Sequence, residues 1–344
     1  MVVPAVAGPT CAAGAPARGR YGRPVLHLRL IVPVDRTDRA RSLLADHPGV
    51  TNVVVLPGAG VRPEGDVMLA DVARESANHV LDQLSGLGLT RRGSIAVEGV
   101  DLSLSTDADR AEAQAPGEGS DAVVWAELAA RAKEESTLSA TYLSFFSVAV
   151  ILAGIAVLLD SSILVVGAMI VGPEFGALAG VCAGVVLRRW PVVRRSAVAL
   201  VVGFAVGIVA TVLATWLLTA VGLIDSGQLF QPRPQTDFIY RPDAMSFVVA
   251  FLAGIAGMLA LTSARSGALV GVLVSVTTIP AAGDLAVALA FAFSTDPSRP
   301  RRDYLHQAAS STGQLLLNLV GLVLAGALTL LIQRTVWPRI LRRH

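Results

Sequence analysis

From Tyr142 onward the sequence is a succession of long apolar runs, over roughly residues 142–159, 161–187, 196–223, 246–262, 267–293 and 314–333. Each reaches or nearly reaches the roughly 20 residues that an α-helix needs to cross about 30 Å of hydrocarbon. Six spanning helices are therefore predicted. The composition agrees: of 344 residues, 53% are hydrophobic and 16% charged, with a mean hydropathy of +0.62, far from the values of an ordinary globular domain. The formal net charge of +2 gives no electrostatic footprint for a nucleic-acid partner, and the bilayer is the expected surrounding.

Two of these runs are interrupted. In "VGAMIVGPEFGALAG", Gly172, Pro173, Glu174 and Gly176 sit in the middle of the second, and in "SVTTIPAAGD" Pro280 and Asp284 follow Ser275, Thr277 and Thr278 in the fifth. A proline unwinds a helix, and the backbone groups it frees are tolerated only inside protein or beside water. A carboxylate at that depth is by default a functional group. The pentapeptide "LAGIA" recurs at Leu152–Ala156 and Leu252–Ala256, each copy leading into one of the interrupted runs. With three spans per copy, the halves enter the membrane from opposite sides, as an inverted 3+3 repeat with broken helices 2 and 5. A matched pair of broken helices points to a substrate or ion site near the midplane. The candidate binding residues are Gly172, Pro173, Glu174, Gly176, Ser275, Thr277, Thr278, Pro280 and Asp284, with Asp160 and Asn318 in support: Asp160 as loop residue and N-cap of the second span, Asn318 as an interhelical tie. Glycines including Gly167, Gly180, Gly184, Gly203, Gly207, Gly254, Gly257, Gly267 and Gly271 are expected to be packing surfaces.

The first third of the chain is different. Residues 1–23 are Pro/Ala/Gly-rich and expected to be a disordered tail. Residues 24–106 read as strand, helix, strand, strand, helix, strand: "VLHLRLIVP", "DRTDRARSLLADHPG", "VTNVVVLPG", "GDVMLADV", "ARESANHVLDQLSGLG" and "GSIAVEGVDLSLS". That βαββαβ order predicts a ferredoxin-like α/β domain, a fold that fixes no function. Residues 107–121 read as a polar linker. Residues 122–140 read as an interfacial amphipathic helix, with Val123, Trp125, Leu128 and Leu138 to one side and Lys133, Glu134 and Glu135 to the other. The six-helix domain then occupies 141–335, and 336–344 form a basic tail. Lys133 is the only lysine. The arginines of "RRWPVVRR" and of the C-terminal segment place the N-terminal domain and the C-terminus in the cytoplasm of a bacterial plasma membrane, with Arg299, Arg301 and Arg302 counting against that topology. Cys11 and Cys182 have no metal-ligand spacing. Neither cofactor nor metal is expected.

The stretches "EESTLSATYLSFFSVAVILAGIAVLLDSSILVVGAMIVGPEFGALAG", "AFLAGIAGMLALTSARSGALVGVLVSVTTIPAAGDLAVALA" and "LLLNLVGLVLAGAL", with "LLADHPGVTNVVVLPG" before them, resemble the bacterial hydrophobic membrane proteins grouped as domain of unknown function 389. The resemblance runs from about residue 25 to 335. Members commonly carry a second proline soon after the first and a double proline in the fifth span, where this chain has Glu174 and Phe175 after Pro173 and a single Pro280. The family implies the architecture and brings no activity. Three functions are consistent with the residues: a secondary transporter or channel-like permease for a small solute or ion; a sensor or scaffold whose α/β domain binds a small molecule or partner; and an intramembrane enzyme. The enzyme is disfavoured because no Ser/His/Asp set, Walker loop or His-rich motif occurs, and His27, His47, His79, His306 and His344 all lie outside the spans. Gly/Ala-rich helix faces predict a homo-oligomer.

Overall fold

The computed structural model describes residues 25–100, 103, 105–115, 122–239, 243–263, 278–294 and 298–335. The expected tail of 1–23, the basic tail, Gly267, Gly271, Ser275, Thr277 and the first half of the fifth run lie outside the described residues. The chain forms two compact units, Met1–Ala115 and Pro116–His344.

In the first unit, β1 (Val25–Val32) alternates inward Leu26, Leu28, Leu30 and Val32 with outward His27, Arg29 and Ile31, the period-two pattern of a half-buried strand. It lies between β3 (Glu64–Ala73) and β4 (Ser94–Val100), and β2 (Val50–Val61) pairs the far edge of β3. All three pairings are antiparallel, and the order β2-β3-β1-β4 is that of the split βαβ pattern. α1 (Thr37–Ala45) and α2 (Arg74–Gly86) bury Leu44, Val80 and Leu84 with the inward strand residues. α2 ends before Gly88, whose φ of 74° needs glycine, and a short α3 (Leu89–Arg92) leads into β4.

The polar linker expected at 107–121 is corrected over its first half. Thr106–Gln114 form α4, capped by Ser105, whose Oγ accepts from the Ala108 amide at 3.3 Å. Ala108, Ala111 and Ala115 make a narrow buried stripe that packs on β2 and β3. Alanine contributes little hydropathy, so a stripe made of it does not register as an amphipathic helix.

The second unit is helical: α5 (Trp125–Glu135), α6 (Ala140–Leu158), α7 (Ser162–Val171), α8 (Glu174–Val186), α9 (Trp190–Ala220), α10 (Ala244–Thr262), α11 (Ile279–Ala292) and α12 (Arg301–Thr335). Among the described residues, α6, α9, α10 and α12 are each long and apolar enough to cross a membrane, and α7 with α8 make a fifth such element bent by 56°. The second predicted run is thus two helices. The sixth run is longer than expected: α12 has 35 residues, about 52 Å at 1.5 Å per residue. Its first turns carry Gln307 and Ser311, which precede the expected run and face a buried partner described below.

Glycines set how closely the helices approach. A Cβ at Gly283 of α11 would lie 2.6 Å from the Gly154 nitrogen of α6, and one at Gly254 of α10 would lie 2.8 Å from the Leu322 carbonyl of α12. Gly203 and Gly207 of α9 receive the Phe146 ring and Val150 of α6. Gly167 departs from expectation, with nothing within 4 Å of where its Cβ would be. α5 is shorter than the predicted 122–140. It starts after Val123 and ends before Leu138, and it lays Leu128 and Ala132 along α8 beside Ala179, Cys182 and Ala183.

Candidate functional site

The break between α7 and α8 is two residues long. Gly172 ends α7 in extended geometry, φ −66° and ψ 123°, and Pro173 precedes Glu174, the first residue of α8. Proline suits a helix start because its missing N–H would have no intrahelical partner there. The Glu174 side chain folds back over Gly172, where any Cβ would collide with Oε2 and stand 3.0 Å from Ile279 Cγ1. A side chain at 172 would therefore displace the Glu174 carboxylate.

Thr278 sits immediately before α11, with Pro280 in the first turn of that helix. Its Oγ1 donates to Glu174 Oε1 at 3.1 Å, and both side chains are fully buried. Two interrupted segments, more than 100 residues apart (|i−j| = 104), therefore meet at their helix N-termini. Backbone dipoles favour negative charge at such ends, and a carboxylate stands where two of them converge. Ile279, Ala281 and Ala282 of α11 share an apolar core with Ala177 and Leu178 of α8.

Asp284 lies six residues beyond Thr278, about 9 Å along the helix, and belongs to a different cluster. Oδ1 accepts from Arg233 Nη1 at 3.0 Å, and Oδ2 accepts from Gln307 Nε2 at 2.8 Å and from Ser311 Oγ. Arg233 and Asp284 are 5% and 0% exposed, so this is a buried ion pair closed by two further donors. Sequence reasoning missed Arg233, Gln307 and Ser311. The spacing of Gln307 and Ser311, one helical turn apart, was the available signal.

The remaining site residues separate. Gly176 is covered by Glu135 of α5, whose Cβ and carboxylate occupy the place of a Cβ. Glu135 was expected on the solvent side of α5. Part of its surface stays open, while burial of the rest raises its carboxyl above the ordinary value, with Arg131 opposing and Glu134 reinforcing the shift. Asp160 is a loop residue as expected but does not cap α7. Its backbone is left-handed at φ 46°, its carboxylate accepts from the Gln235 amide at 3.1 Å and from Thr236 Oγ1 at 2.9 Å, and Ser161 is the cap. Asn318 Oδ1 accepts from Gln314 Nε2 at 3.3 Å, one turn earlier on its own helix. Among the described residues no three His, Cys, Asp or Glu side chains gather to hold a metal.

Several long apolar helices packed around a polar centre are the mark of a multi-pass membrane protein. Within that class, the model of the family described as Domain of unknown function (DUF389) matches residues 169–324 of the chain. The match covers both helix starts and the Asp284 cluster, and leaves the α/β unit outside. No curated protein matches the chain, and no solved structure does.

Proposed function

We propose that the protein is a secondary transporter or channel-like permease for a small solute or ion, with its site where α8 and α11 begin. The observation that carries this reading is the fully buried Glu174 carboxylate, hydrogen-bonded to Thr278 at 3.1 Å across two interrupted helices. A carboxylate inside a membrane core is costly, and it is retained where it binds an ion or carries a proton. Gly172, Pro173, Pro280 and Thr278 shape the site, while Asp284, already satisfied by Arg233, Gln307 and Ser311, holds the neighbouring helices. An inverted repeat fits the matching lengths of α6 and α10, 19 residues each, and the placement of a helix start at both prolines. In this reading both termini are cytoplasmic. Arg299 and Arg301, which argued against that topology, lie over the Phe230 and Phe293 rings at 4.6 and 4.2 Å, contacts that hold them whichever side they face.

The test is flux in proteoliposomes. Glu174→Gln is expected to abolish transport with folding retained, and Thr278→Val to reduce it. Normal flux in Glu174→Gln would remove the assigned role. A second reading, a sensor acting through the α/β unit, draws on the polar group on its outer sheet face. There His27 Nδ1 lies 2.7 Å from Asp71 Oδ1, and Asn52 Nδ2 donates to Asp71 Oδ2 at 2.7 Å. Ligand-dependent stabilisation of that unit without flux through the whole protein would favour it.

A further inference from the structure

We infer that the first turns of α9 and the approach to α6 form a binding site for an anionic phospholipid. A cleft of 430 Å³ is lined there by Leu138, Pro191, Arg194, Arg195 and Val198. The four residues from α9 fall at i, i+3, i+4 and i+7, so they share one helix face. Arg195 Nη2 donates to Thr137 Oγ1 at 2.8 Å, which fixes the guanidinium at the cleft wall with its other donors left over. Arg194 is exposed and has no acidic partner among the described residues. No acidic residue occurs anywhere in 188–195, where Arg188 and Arg189 add to the charge. Arg334 of α12 reaches the Val186 carbonyl at the end of α8, which brings a further guanidinium to this end of the bundle.

The apolar half of the site continues the same face. Beyond Val198 come Val201, Ala205 and Val209, all exposed, and Trp190, 67% exposed, stands at the start of the helix, the position of an interfacial aromatic anchor. Two guanidinium groups at the end of an apolar ridge complement a phosphate with acyl chains attached. A free anion would engage the arginines alone and leave Leu138, Val198 and the ridge unmatched. The opposite end of the bundle lacks this arrangement, since Arg299 and Arg301 lie over aromatic rings and Arg302 is 3.5 Å from Asp303. This site depends on the membrane reading and not on Glu174, so failure of transport in Glu174→Gln leaves it unaffected.

The experiment is native mass spectrometry of the full chain from nanodiscs of phosphatidylcholine with and without phosphatidylglycerol. A basic residue at an anionic surface contributes about 1 kcal/mol, or about five-fold in affinity. Wild type is expected to retain phosphatidylglycerol over phosphatidylcholine. Arg194→Gln, which breaks no internal contact, should weaken retention about five-fold, and Arg194→Gln with Arg195→Gln should weaken it further. Arg301→Gln with Arg302→Gln, the same charge change at the other end, should leave retention intact. Equal retention by the Arg194 variants and wild type would overturn the site. So would inorganic phosphate that displaces the lipid and stabilises the solubilised protein equally, since that would make the ligand a free anion.

Discussion

Two buried carboxylates on the same pair of interrupted runs have different fates. Glu174 meets a hydroxyl and the start of a second helix, whereas Asp284 meets a guanidinium, an amide and a hydroxyl. The sequence alone could not separate them, because Arg233 lies in the α9–α10 connection, 51 residues away in the chain (|i−j| = 51). Their substitutions should differ accordingly. Asp284→Asn leaves the Arg233 charge buried without its counter-ion, which costs about 3–5 kcal/mol, and should lower the thermal unfolding midpoint of the detergent-solubilised protein sharply. Replacing both partners, Arg233→Met with Asp284→Leu, should recover much of that loss, as a double-mutant cycle would read. Glu174→Gln keeps the Thr278 hydrogen bond available and should cost far less.

At the scale of the elements, α8 carries glycines at 176, 180 and 184, one turn apart, and each is filled by a neighbour. Glu135 of α5 lies on the first, Ser196 of α9 on the second and Val193 of α9 on the third. Gly180→Val should therefore destabilise by about 1–3 kcal/mol through overpacking. Gly167→Ala in α7 meets open space and should be neutral or stabilise by about 0.5–1 kcal/mol through helix propensity. Thermal unfolding of the two variants side by side checks the contrast. The elements themselves were largely legible: apolar runs gave the helices, and alternation gave the strands. What escaped had a common cause. α4 is held by alanines, α12 extends through residues that are polar because they face Asp284, and α5 packs on glycines. In each case the partner supplies the reason, and a partner is invisible to a local pattern.

For the molecule as a whole, the α/β unit has its own core and ends at Ala115, so the segment 25–115 should fold by itself. A segment ending at residue 105 should unfold at lower temperature, because it exposes the β2 and β3 surface that α4 covers. The 25–115 segment should also lose stability in acid. His47 Nδ1 accepts from the Gly49 amide at 3.1 Å, and burial, reinforced by His79, lowers its pKa from 6.5. A lowered histidine pKa contributes stability that is present above 6.5 and is lost as the pH falls through the folded value. His47→Asn, which can still accept from Gly49, should flatten that part of the profile in urea titrations across pH.

The bend at Gly172 and Pro173 joins two unequal helices. α8 is gripped along a row of glycines, while α7 turns Ile163, Val166 and Ile170 outward, at 86%, 45% and 64% exposure, with empty space beside Gly167. The joint thus links a helix packed against α5, α9 and α12 to one that is packed on α6 and bare on its other face. If the transport reading holds, uncovering Glu174 by moving α8 would break its packing on α5, α9 and α12, whereas moving α7 would break mainly its packing on α6, so a gate over that carboxylate is expected on the α7 side.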